Sequence, residues 1–209
     1  RDEFMRAFET SMERLKVGYL DLCAVHGINT PGILNDTLHG GSLHALRELQ
    51  TQGIIRHVGF STHGPTNVIV SAIETGEFAY VNLHWYYFNQ INWPAIAAAH
   101  ARDMGVFIIS PNDKGGRLQA PPPQLTKLCA PFTPMGFNDL FCLSRPEVHT
   151  ISIGAARASD YDAHVEALKY LDKAPGIIEP VARRLEREAR RILGADWVAH
   201  WKHGLPSTD

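Results

Sequence analysis

The sequence predicts an α/β fold, a partial (β/α)8 TIM barrel of parallel strands alternating with helices, followed by a helical C-terminal extension. Three observations predict it. Short apolar runs rich in β-branched and aromatic residues recur between segments with helical spacing. Polar residues gather at the C-terminal ends of several of those runs, where a barrel assembles its active face. No G-x-G-x-x-G follows a strand, so the mark of a dinucleotide-binding doubly wound sheet is missing.

The chain opens inside a helical segment, and its first strand-type run is 19–25, Tyr19-Leu20-Asp21-Leu22-Cys23-Ala24-Val25. A helix is expected over 42–50, where Leu43, Leu46 and Leu49 share a face and Gly53 supplies a stop. The second run is 57–60, and the helix after it, 66–75, follows Pro65 and ends at Gly76. The third run is 80–83, succeeded by a helix over 94–104 that begins at Pro94 and ends at Gly105. Runs at 106–109 and 148–153 and a helix over 160–171 complete the alternation. Strands separated by helices require parallel βαβ units, because a parallel neighbour is reached only through a crossover. From 177 to 193 the pattern changes to an amphipathic helix. Val181, Leu185, Ile192 and Leu193 lie among five arginines, with Glu186 and Glu188 between them, which reads as a solvated face. The barrel part is therefore assigned to 1–173 and the extension to 174–209.

Composition narrows the function classes. Lys plus Arg is 20 against 22 for Asp plus Glu, a formal net charge of -2 that provides no general basic field for nucleic acid or an anionic membrane. No stretch approaches the roughly 18 to 20 uninterrupted apolar residues of a membrane helix, and Arg1-Asp2-Glu3 does not resemble a secretory signal. The three cysteines stand far apart without a C-x-x-C pair, so no zinc knuckle, iron–sulfur run or disulfide framework is encoded. The eleven histidines include no H-E-x-x-H, and no metal site is expected. A cytoplasmic protein fits best. The chain lacks an initiator Met and begins within a helix, which is the pattern of a piece of something longer.

The strand ends carry the chemistry: Val25-His26-Gly27, Phe60-Ser61-Thr62-His63-Gly64, Asn82-Leu83-His84-Trp85, Ser110-Pro111-Asn112-Asp113-Lys114 and Gly154-Ala155-Ala156-Arg157. Around these residues the sequence resembles the aldo-keto reductase superfamily, in order from about Phe4 to about Leu171. Residues 11–22 leading to Val25-His26-Gly27 look like the family's third helix and fourth strand. Gly53-Ile54-Ile55-Arg56-His57-Val58-Gly59-Phe60-Ser61 is similar to its passage into strand five. Ile109-Ser110-Pro111 with Gly115-Gly116 looks like the seventh-strand loop, and Ile153-Gly154-Ala155-Ala156-Arg157 like the turn after strand eight. The C-terminal Trp197-Val198-Ala199-His200-Trp201 resembles the extension of a predicted oxidoreductase branch, some members of which add a cysteine-rich ferredoxin-like segment, and those cysteines are absent here.

The resemblance implies hydride transfer between a nicotinamide coenzyme, NADP with NAD as the alternative, and a small carbonyl or alcohol substrate. By carry-over, His26 matches the active-site histidine that hydrogen-bonds the substrate oxygen where negative charge develops. Ser61, Thr62 and Asn82 fall where the family holds the nicotinamide carboxamide, with Thr and Asn in place of the more common Asn and Gln. Ser110, Lys114 and Gly115 belong to the loop expected to meet the diphosphate, where glycine lets successive N–H groups turn toward an anion and Lys114 or Arg117 is available for charge, although Asp113 opposes one. Gly154 and Arg157 lie in the turn after the last strand, and Arg157 suits a 2'-phosphate. His63 and His84 share the expected mouth and shape its polarity. The family's proton donor, a Tyr supported by an Asp and a Lys, lies on strands before this segment, so an N-terminal barrel segment is expected elsewhere and the chain alone is expected to be inactive. A nicotinamide-nucleotide-binding regulatory module without turnover is the alternative. An open barrel of this kind is expected to leave unpaired strand edges.

Overall fold

The computed structural model describes residues 2–113, 117–155 and 157–203. Five parallel strands alternate with helices in the strand order β1-β2-β3-β4-β5, the α/β partial-barrel class expected from the sequence. The chain divides into two units, Arg1–Leu83 with Pro94–Val106, and His84–Trp93 with Phe107–Asp209. Strand β4, Gly105–Ile109, begins in the first and ends in the second.

The first unit contains α1 (Asp2–Leu15), β1 (Leu20–Val25), α2 (Pro31–His39), α3 (Ser42–Thr51), β2 (Ile55–Ser61), α4 (Thr66–Glu74), β3 (Tyr80–Leu83) and most of α5 (Trp93–His100). In β1 and β2, Leu20 pairs with Ile55 and Val25 with Phe60, and in β2 and β3 Ser61 stands opposite Asn82. Helix α3 buries Leu43, Leu46 and Leu49, the face anticipated from their spacing. Helix α5 is shorter than its expected 94–104. Asp103 turns left-handed at φ 55°, Met104 donates back to the Ala99 carbonyl, and Gly105 opens β4 rather than only closing the helix. Helix α2 was not anticipated. Its signal is the pair Thr30-Pro31: the threonine hydroxyl accepts from the Ile33 N–H at 3.2 Å while proline presets the first turn.

The second unit holds α6 (Pro123–Cys129), α7 (Pro134–Leu143), β5 (Thr150–Ser152), α8 (Asp162–Leu168), α9 (Ala174–Leu193) and α10 (Ala195–His200). Thr133-Pro134 repeats the starting device of α2, with the Gly136 N–H donating to the threonine hydroxyl at 3.0 Å. Helix α7 is buried from Pro134 to Cys142 and forms the centre of this unit, against α8 and α9. The helix expected over 160–171 is divided into a 3-10 turn, Ala158–Tyr161, helix α8, and a further turn, Leu171–Lys173. Helix α9 buries Ile178, Val181 and Leu185, and three of its arginines, Arg183, Arg184 and Arg191, have partners within this unit. Arg183 pairs with Glu179, Arg191 with Glu188 at 2.7 Å, and Arg184 donates to the Leu128 carbonyl at 3.0 Å.

Candidate active site

The end of β1 and the end of β2 meet in a small polar junction. Gly27 and Ile28 both donate their N–H to the Ser61 carbonyl at 3.0 Å, which holds the turn after β1 against β2. Gly27 has φ +80°, the left-handed region that glycine enters without steric cost, and this turns the chain away directly after His26. The Ser61 hydroxyl, 8% exposed, lies 2.9 Å from His26 Nδ1 and accepts from the Gly27 N–H at 3.3 Å. The imidazole itself is exposed. A side chain anchored at one nitrogen and open at the other can present that second nitrogen to a ligand.

Thr62 is 1% exposed and its hydroxyl is used internally, donating to the Ile28 carbonyl at 2.7 Å and accepting from the Gly64 N–H at 2.9 Å. Asn29 completes the junction by accepting from the His63 N–H at 2.7 Å. The two loops approach so closely that a Cβ at Gly64 would lie 2.7 Å from the Asn29 carbonyl oxygen. Asn82 accepts the Thr62 N–H through its carbonyl, while its half-buried side-chain amide has no hydrogen-bond partner among the described residues. In this unit, therefore, His26 and Ser61 are brought into contact, Asn82 stands in register beside Ser61, and Thr62 is sealed behind them.

Except for His63, the remaining expected residues lie in the second unit. Ser110 adopts φ 54° and donates its N–H to the Ser152 carbonyl at 3.2 Å. Asn112, in the same strand-end run, reaches the Gly154 carbonyl at 3.4 Å through its amide nitrogen, and its buried oxygen has no partner among the described residues. Lys114 and Gly115 lie outside the described residues. Arg157 is 80% exposed and its Nε donates to Asp160 at 3.0 Å, so an incoming phosphate would have to compete with that carboxylate. His63 is exposed, whereas His84 is buried edge-on against Tyr86.

Sequence reasoning also missed Asn138. Fully buried on α7, it accepts the Tyr87 N–H at 2.9 Å and donates to the Pro111 carbonyl, tying together the loops that follow β3 and β4. Its signal was a polar pair, Asn138-Asp139, inside an otherwise apolar segment. Tyr87 donates to the Ala182 carbonyl at 3.2 Å, and burial is the chief cause that pushes its phenol above the usual value of 10. Near it, residues of the loop 87–91, Asp113, Arg117, α9, Trp197 of α10 and Trp201 line an open cavity of about 520 Å³. Among the described residues no group of three His, Cys, Asp or Glu side chains is arranged to hold a metal, and no helix is long and apolar enough to cross a membrane.

The model of the aldo/keto reductase family matches residues 1–118, more than half of the chain. The chain belongs to the aldo/keto reductase family. Solved structures agree in fold. An aldo-keto reductase from Bacillus halodurans in its holo form superposes with a TM-score of 0.66 at 20% identity, over 81% of this chain and 63% of that one. An aldo-keto reductase from Klebsiella pneumoniae in complex with NADPH gives 0.60 at 19%, over 84% and 64%, and the aldose reductase from Giardia lamblia 0.62 at 13%, over 83% and 66%. The chain thus spans less than two thirds of these reductases. No curated protein matches it in sequence.

Proposed function

We propose that the chain forms the coenzyme- and substrate-binding part of an NADP-dependent reductase of small carbonyl compounds, corresponding to the fourth to eighth strands of the family barrel. The observation that carries the reading is the His26–Ser61 contact at the ends of two adjacent parallel strands. The Ser61 oxygen accepts from the Gly27 N–H, and in this reading its hydroxyl is the donor to His26 Nδ1. With Nδ1 accepting that proton, Nε2 is the nitrogen left to donate to a carbonyl oxygen as charge builds there. Bound nicotinamide supplies the hydride. Asn82, whose amide is uncommitted, is suited to hold its carboxamide, and Ser61 stands beside it. Thr62 shapes the junction rather than contacting coenzyme, since its hydroxyl is already committed. Ser110, Lys114, Gly115, Gly154 and Arg157 are assigned to the diphosphate and the 2'-phosphate, with Arg157 exchanging Asp160 for phosphate. The proton that completes alcohol formation comes from a Tyr with its Asp and Lys outside these 209 residues.

The test is a fluorescence titration of the full-length protein with NADPH, followed by turnover of a panel of aldehydes and ketones. Micromolar binding with turnover is expected, and both are expected to fall when Arg157 is replaced by Ala or His26 by Ala, respectively. Absence of NADPH binding would overturn the reading. Binding without turnover of any carbonyl would replace it with that of a nucleotide-binding regulatory module.

A further inference from the structure

The lining of the cavity beside the C-terminal helices contains none of the residues assigned to coenzyme or substrate in the proposed hydride transfer. We propose that it binds a planar apolar anion of the aromatic carboxylate class. At about 520 Å³ it falls within the roughly 300 to 1,000 Å³ usual for small-molecule sites, and residues of the second unit alone line it. Its walls favour a flat apolar body. Trp197 and Trp201 stack with centroids 5.5 Å apart and only 6° between their planes, and Tyr87 meets Trp201 edge-on at 6.1 Å. The Tyr87 hydroxyl is spent on the Ala182 carbonyl, so this side chain contributes mainly its ring. Leu185 and Leu193 of α9 continue the apolar wall.

The charged groups of the lining select the sign of the ligand. Two carboxylates are already engaged, Asp113 by the Tyr86 hydroxyl at 3.0 Å and Glu186 by Lys202 at 2.7 Å. Arg117 is exposed and has no acidic partner among the described residues. A guanidinium with its planar fork free is matched best by a carboxylate, which it can bind through two parallel hydrogen bonds. An aryl carboxylate satisfies the stacked rings and the cation together. This gives the tryptophans of the extension, which the reductase reading leaves without a task, a direct one.

Isothermal titration calorimetry with 2-naphthoate and its uncharged counterpart 2-naphthylmethanol tests the proposal, with coenzyme absent so that failure of the reductase reading does not affect the result. Saturable binding of naphthoate is expected, tighter than that of the alcohol. Arg117→Ala is expected to weaken naphthoate about five- to tenfold, the scale of one exposed charge-assisted contact, and to leave the alcohol unchanged. Ala189→Trp places bulk in the cavity from α9 and is expected to abolish binding of both, with circular dichroism reporting that the helices persist. No saturable binding at millimolar ligand, equal affinity for acid and alcohol, or unaltered affinity in Arg117→Ala would each overturn it. Should Ala189→Trp fail to fold, Arg117→Ala, at an exposed position, decides alone.

Discussion

The Ser61 hydroxyl lies between a backbone N–H and a ring nitrogen, and that placement gives it more influence than its size suggests. Ser61→Ala removes about one net hydrogen bond, a cost near 1 kcal/mol, yet frees the His26 ring to rotate and to exchange tautomers. The expected outcome is a fall in kcat/KM of about tenfold or more with little change in the urea midpoint. Nitrogen-15 shifts of His26 should show mainly Nε2–H in the natural protein and a mixture in the variant, a signature that a purely structural role would not produce. Gly59 shows the opposite balance. It faces Tyr80 across β2 and β3, where a Cβ would overlap the tyrosine ring. Gly59→Ala is expected to cost about 1 to 3 kcal/mol by overpacking, read as a lowered denaturation midpoint. The positions of His26, Ser61 and Asn82 at strand ends were legible from apolar runs ending in polar residues. The commitment of the Thr62 hydroxyl was not, because it depends on Ile28 and Gly64, brought close only by folding.

Among the elements, α7 and α8 are joined by a buried pair, with His164 Nδ1 2.5 Å from Asp139 Oδ2 and both side chains almost wholly enclosed. Neither Asp139 Oδ1 nor His164 Nε2 has a partner among the described residues. His164→Ala would leave the carboxyl isolated, and a loss of about 3 to 5 kcal/mol in chemical denaturation is expected. Burial pushes the Asp139 carboxyl above its usual 3.8, and the hydrogen bond and charge of His164 only partly oppose this. Between 3.8 and the folded value the native state therefore keeps a proton that the unfolded chain has released. The contribution of this residue to stability falls as pH rises from near 3.8 through the folded value, and Asp139→Asn should flatten that part of the stability–pH curve. The sequence showed the strands and α3 clearly, since their hydrophobic periods are regular. It concealed α7, whose burial on every side removes the alternation of polar and apolar faces from which a helix is read. The Thr-Pro starts of α2 and α7 were the signals available.

For the molecule as a whole, strand order was readable because five parallel strands joined by helices admit few arrangements, and the chain follows the simplest one. The separation into two units was not readable, since β4 belongs to both and no change of composition marks the division. Strand β1 stands at one end of the order, pairing with β2 on one side, and Tyr19 and Leu22 near it are exposed, Leu22 by 42%. The 209 residues expressed alone are expected to self-associate with rising concentration in sedimentation velocity, and Leu22→Lys to reduce this by placing charge on the strand. Association through the backbone edge of β1 would run along one line of the molecule. A synthetic peptide of extended backbone, laid along 20–25, should therefore keep it dispersed where a general detergent would serve less well.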